Sequence, residues 1–98
     1  SRLAPYKVAV FPLIKKQPLI DLANAIYEEI KSDFNTKYDE SGSIGKRYRR
    51  QDEIGTPYCI TVDFDSLEDE KVTISDRNTA EQDRVSITKI NEYLKKRI

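Results

Sequence analysis

Apolar residues recur along the chain in two different periods. Residues 6–12, Tyr-Lys-Val-Ala-Val-Phe-Pro, form a short β-branched and aromatic run that reads as a buried strand. Pro12 closes it, and Pro5 suits an extended lead-in. Residues 18–34 switch to helical spacing, with Leu19, Leu22, Ala23, Ile26, Tyr27, Ile30 and Phe34 on one face and Asp21, Asn24, Glu28 and Lys31 on the other. Pro18 fits the first turn of that helix, where its missing N–H costs nothing. A weak strand follows at residues 35–39, then a loop, Glu40 to Ser43. Ser43 can cap a second helix from Ile44 to Ile54, which Gly55 stops. Beyond Pro57, residues Tyr58–Phe64 alternate: Tyr58, Ile60, Val62 and Phe64 are all apolar, while Cys59, Thr61 and Asp63 are mixed, as in a central strand. This phase makes Phe64 a core residue.

The remainder is more polar. Ser66–Glu70 reads as an acidic loop, and Lys71–Ser75 as a strand with Val72 and Ile74 inward. Residues 77–80 form a turn, Gln82–Ile87 a charged edge strand, and from Thr88 the spacing of Ile90, Leu94 and Ile98 predicts a final helix. Cations at 95–97 suit its C-terminal dipole. The order β-α-β-α-β-β-β-α starts as a parallel three-stranded sheet with right-handed crossovers, and the last two strands add as hairpins on one edge.

A chain of 98 residues is one domain. It has no His, which excludes Ser/His/Asp and Cys/His nucleophile pairs and His-ligated metals. One Cys excludes an internal disulfide and a CxxC motif and makes a reducing compartment the default. No apolar run is long enough to span a membrane, and no signal peptide opens the chain. The absence of Met and the Ser-Arg-Leu-Ala-Pro start point to a piece of a longer protein.

Lys plus Arg and Asp plus Glu are 17 each, so the net charge is zero, but the charges are segregated. Residues 46–50, Lys-Arg-Tyr-Arg-Arg, put four cations in five positions. Residues 59–83 hold eight acids against Lys71 and Arg77, and residues 84–98 hold five cations against Glu92. A basic helix interrupted by Tyr can bind phosphates and stack on a base; it can equally be a solvated face laced with pairs such as Arg49–Glu53. In an open α/β sheet, ligands bind at the carboxyl ends of the strands where strand order reverses. With the first strand between the second and third, that crevice is formed by Phe11-Pro12 and Asp63-Phe64-Asp65, whose aromatic and acidic groups can stack on bases and accept from their amino groups. Alternatively, Phe11 and Phe64 are core and the acids cap loops. Gly42-Ser43-Ile44-Gly45 lies at a helix N-terminus but lacks phosphate-loop spacing, so a turn and cap is its expected role. Cys59 reads as a small buried hydrophobe.

The run SGSIGKRYRRQDEIGTPYCITVDFDSLED, from Ser41 to Asp69, resembles the C-terminal class II anticodon-binding domain of dimeric-type glycyl-tRNA synthetases. APYKVAVFPLIKK near the start, VTISDRNTAEQDRVSI from Val72 to Ile87 and the closing helix agree with it, so the resemblance covers the whole chain as a single domain, 1–98. It implies an α/β fold, a three-layer α/β/α sandwich with a mixed five-stranded sheet of order 2-1-3-4-5 whose fourth strand is antiparallel. It implies a cytoplasmic, homodimeric parent enzyme that ligates glycine to its tRNA with ATP and magnesium, and a domain that grips the anticodon stem-loop without catalytic residues, metal or cofactor of its own. Lys46, Arg47, Arg49 and Arg50 match the family's basic helix, with Lys46 standing where the family has Arg. Asp63 and Asp65 of the VDFD stretch, and Asp76 with Arg77, match positions near the anticodon face; Glu68 joins them as a candidate acceptor and Phe11 as a stacking candidate. Glycine anticodons carry cytosine at their second and third positions, whose amino donors suit the acids. Two other readings remain: a stand-alone interaction module of the same fold, and a small α/β enzyme using Cys59 or a carboxylate in the crevice.

Overall fold

The computed structural model describes residues 6–98; the expected lead-in at Pro5 lies outside the described residues. Five strands form one mixed sheet: β1 (Val8–Pro12), β2 (Thr36–Tyr38), β3 (Tyr58–Val62), β4 (Lys71–Asp76) and β5 (Gln82–Ser86). The sheet order is β2-β1-β3-β4-β5, as the resemblance implies. β1 pairs in parallel with β2 and β3, and β4 runs antiparallel to both β3 and β5.

The helices are α1 (Gln17–Ile30), α2 (Ile44–Ile54), α3 (Phe64–Asp69) and α4 (Ile90–Lys95), the last preceded by a 3-10 turn at Ile87–Lys89. On one sheet face, Val8, Val10, Ile60, Val62, Val72 and Ile74 pack against Leu19, Ala23, Ile26 and Ile30 of α1 and Ile90 and Leu94 of α4. On the other, Ala9, Phe11 and Cys59 pack beneath Ile44 and Tyr48 of α2. Every residue of β1 and β3 is therefore buried, as central strands covered on both faces must be.

Local signals set several boundaries. Ser43 accepts from the Lys46 N–H at 3.3 Å and caps α2, and Gly55 at φ 80° ends it. Three expectations are corrected. The helix α1 stops at Ile30, so Phe34 lies beyond it and packs half-buried in the turn toward Thr36. β3 stops at Val62, because Asp63 leaves the sheet to cap α3; the expected loop at Ser66–Glu70 is largely this helix, and Phe64, expected in the core, is 48% exposed. Ile98, expected on the buried face of the last helix, is also exposed.

Candidate nucleic-acid interface

The carboxyl ends of β1 and β3 meet where the connection after β2 passes to the other side of the sheet. The first turn of α2 sits over the end of β1. Arg47 is the reason: it is 1% exposed and its guanidinium donates to the carbonyls of Pro12, Leu13 and Gly42, while Nε reaches the Ser43 carbonyl. Expected to hold phosphate, Arg47 is instead a buried bracket tying α2 to the end of β1, with its donors spent on backbone. Phe11 is corrected in the same way. It is fully buried, edge-on to Tyr48 with ring centroids 5.2 Å apart, so it offers no face to a base.

The other cations of α2 point outward. Lys46 and Arg49 are exposed, and no Arg49–Glu53 ion pair forms among the described residues. Arg50 is exposed but engaged: it pairs with Asp39 at 2.8 Å and donates to the Ser41 carbonyl at 2.8 Å. Burial pushes the Asp39 carboxyl up, but hydrogen bonds from Ser41 and Arg50 outweigh it and leave the group below its ordinary value of 3.8. A carboxyl depressed by folding adds stability that is complete above its unfolded pKa and is lost as pH falls through the folded value. Asp39→Asn should therefore cost about 1 kcal/mol at neutral pH, discounted because Arg50 is solvated, and the cost should shrink as pH falls below the ordinary value and vanish only below the folded one. Denaturant titrations of both proteins at pH 7 and pH 3 check this; an equal cost at both pH values contradicts it.

The acids divide into two places. At the carboxyl edge, Asp63 accepts from the Ser66 N–H at 3.0 Å while Ser66 Oγ accepts from the Asp63 N–H at 3.1 Å, a reciprocal cap that starts α3. Arg84 of β5 also binds Asp63, at 3.0 Å, and Asp69, at 3.1 Å. Asp63 is thus committed to structure. Asp65 and Glu68 are exposed on α3 beside Phe64 and Leu67 and make no ion pair among the described residues. Phe64 is an exposed aromatic at the strand ends, and sequence reasoning placed it in the core. The signal that could have found it is Asp63 three residues before Ser66, a cap that interrupts the strand.

Asp76 and Arg77 lie at the opposite end of β3, since Tyr58 pairs with Asp76. Asp76 Oδ1 accepts from the Asn78 N–H at 2.9 Å and shapes the β4–β5 turn. Arg77 pairs with Asp52 of α2 at 2.9 Å, and both are well exposed. With Tyr48, Arg49 and Cys59 they line a shallow pocket of about 310 Å³. The two groups are therefore not one cluster. Between them runs the α2-side face of β4 and β5, with Thr73, Ser75, Gln82 and Arg84 half-buried or exposed.

Cys59 opens onto that pocket but is buried, and burial, helped by Asp52, pushes its thiol up to about 12. At pH 8 the thiol therefore stays almost wholly protonated. Iodoacetamide should leave the native protein unmodified and alkylate it only after unfolding; rapid stoichiometric labelling of the folded chain contradicts this. Among the described residues, no group of three His, Cys, Asp or Glu side chains could hold a metal ion, and no helix is long and apolar enough to cross a membrane.

A mixed sheet of this order with helices on both faces is also found in known proteins. A family model described as "Anticodon binding domain" matches residues 7–97. The chain belongs to the anticodon binding domain family. Among named relatives, the Glycine--tRNA ligase of Staphylococcus saprophyticus is 62% identical over 96 residues, 98% of this chain and 20% of that protein. That of Clostridium acetobutylicum is 61% identical over 97 residues, 99% of this chain and 21% of its own. That of Borreliella afzelii is 56% identical over 97 residues, again 99% of this chain, and 22% of its own length. The chain spans about a fifth of the relatives it matches. Solved structures share the fold: prolyl-tRNA synthetase from Cryptosporidium parvum superposes with TM-score 0.87 at 20% identity, over 95% of this chain and 20% of that one. Histidyl-tRNA synthetase from a Nostoc species gives 0.86 at 21% identity, over 95% of this chain and 22% of that one.

Proposed function

We propose that this anticodon binding domain belongs to a glycyl-tRNA synthetase and grips the anticodon stem-loop of glycine tRNA. What carries the reading is identity of 55–62% across nearly the whole chain to proteins named Glycine--tRNA ligase. The parent would be a cytoplasmic homodimer that uses ATP and magnesium to ligate glycine; none of that chemistry is assigned to residues of this domain. The domain's part is recognition.

The surface suits that part. Single-stranded bases are read by stacking and by their hydrogen-bonding edges, while cations hold the backbone. Phe64 supplies the stacking face, and Asp65 and Glu68 accept from cytosine amino groups. Lys46 and Arg49 hold phosphates. Arg77 and Asp76, in the pocket at the other end of the open face, take a further part of the loop. Arg50 contributes through its hold on the loop before α2, and Arg47, Phe11 and Asp63 contribute by keeping the edge in shape. With zero net charge, long-range attraction of tRNA is weak and selectivity rests on these contacts.

A hairpin carrying the glycine anticodon tests the phosphate assignment. Its affinity should fall with salt at about 0.7 logarithmic units per phosphate contact. Lys46→Glu with Arg49→Glu should flatten that slope by about one to two contacts while the fold survives, since both side chains are exposed. An unchanged slope removes the basic helix from the interface.

A further inference from the structure

α3 is a short connection, joined to β3 and β4 by a single residue at either end. It is six residues long, far below the roughly 12–15 at which isolated helices become marginal, and its one buried residue is Ser66. Phe64 and Leu67, its large apolar side chains, are 48% and 44% exposed. Apolar burial therefore supplies only part of what fixes its pose, beside the packing of α3 on α1 and the Ile87 N–H donated to the Glu70 carbonyl at 2.9 Å. What reaches both its ends is one side chain from β5. Arg84 stands opposite Thr73 in the sheet register and donates to Thr73 Oγ1 at 3.2 Å. Its Nη1 binds Asp63 Oδ2 at 3.0 Å and its Nη2 binds Asp63 Oδ1 at 3.3 Å, in the two-pronged geometry that lysine cannot copy. The same Nη2 reaches Asp69 at 3.1 and 3.2 Å. Asp63 is the N-cap of α3 and Asp69 its last residue.

We infer that Arg84 is a positioning residue for RNA reading, a clamp across both ends of α3 that aims Phe64, Asp65 and Glu68 at the bases. The inference rests on the RNA reading above. Arg84 does not serve as a phosphate contact, because two carboxylates already surround its single charge. It acts through α3, so its loss should harm discrimination rather than electrostatic attraction.

The test uses the 98-residue chain, the glycine-anticodon hairpin and the same hairpin with both cytosines replaced by uridine. A uridine presents an acceptor where cytosine presents a donor. The wild type is measured first. Arg84→Gln should cut its preference for cytosine by about fivefold or more, leave the salt slope unchanged, and speed amide exchange in α3 alone. Arg84→Lys should restore part of the preference. Asp69→Asn keeps the acceptor for the Lys71 N–H, frees one end of the clamp and leaves the Asp63 cap intact, so it should act in the same direction even if Arg84→Gln folds poorly. Preserved discrimination in both Arg84→Gln and Asp69→Asn overturns the inference. So does an equal loss for both hairpins with a slope reduced by one contact, which would make Arg84 a phosphate ligand. A wild type that binds both hairpins equally fells the RNA reading itself, before any substitution is made.

Discussion

Arg47→Met should destabilise the domain by about 2–4 kcal/mol while leaving the salt slope of RNA binding as it is in the wild type. The reason is the asymmetry of buried hydrogen bonds. Methionine fills part of the space but donates nothing, so the Pro12 carbonyl loses a charged donor at a buried contact and those of Leu13, Gly42 and Ser43 lose a share of it at partly buried ones. Lysine keeps the charge but not the planar fork, and should recover less than half of the loss. Denaturant melts of the three proteins measure the cost, and hairpin titrations under folding conditions measure the slope. A methionine variant within about 0.5 kcal/mol of the wild type, with a flatter slope, would return Arg47 to the phosphate-binding set.

Phe64→Ala should do the reverse. The side chain is 48% exposed, so its truncation should change stability by less than about 1 kcal/mol. Stacking of a base on an aromatic ring is worth about 1–3 kcal/mol, so hairpin affinity should fall roughly fivefold or more. Phe64→Tyr should keep most of the affinity, because it keeps the ring. If Phe64→Ala binds like the wild type, α3 does not present a stacking face. The contrast between the two substitutions is the clearest division in this domain: a cation of the basic motif that holds the fold, and an apolar residue expected in the core that lies exposed at the strand ends.

That division shows where local sequence stops being informative. The limits of α2 could be read because Ser43 and Gly55 act on their own neighbours, through a side-chain cap and a left-handed backbone. The burial of β1 and the inward phase of Val72 and Ile74 could be read because alternation and apolar runs are local too. Arg47 could not be assigned, since its principal acceptor is 35 residues away in sequence and helical spacing puts it among four similar cations. Phe11 lies at the expected strand end, but α2 covers the face it occupies, and that covering depends on Tyr48 meeting it from another element. Phe64 continued the apolar phase of β3, and only the cap at Asp63 breaks the strand before it. Asp76 and Arg77 were grouped with the carboxyl-edge acids by family position, whereas the antiparallel turn of β4 carries them to the opposite end of the sheet.

On the proposed function, the carboxyl edge reads the two cytosines of a glycine anticodon. The deciding measurement is binding of the wild-type chain to the glycine-anticodon hairpin and to its cytosine-to-uridine counterpart, at one physiological salt concentration. Each good base contact is worth about 1–3 kcal/mol, so loss of both should weaken binding of the uridine hairpin at least tenfold. Equal affinity for the two hairpins would contradict it.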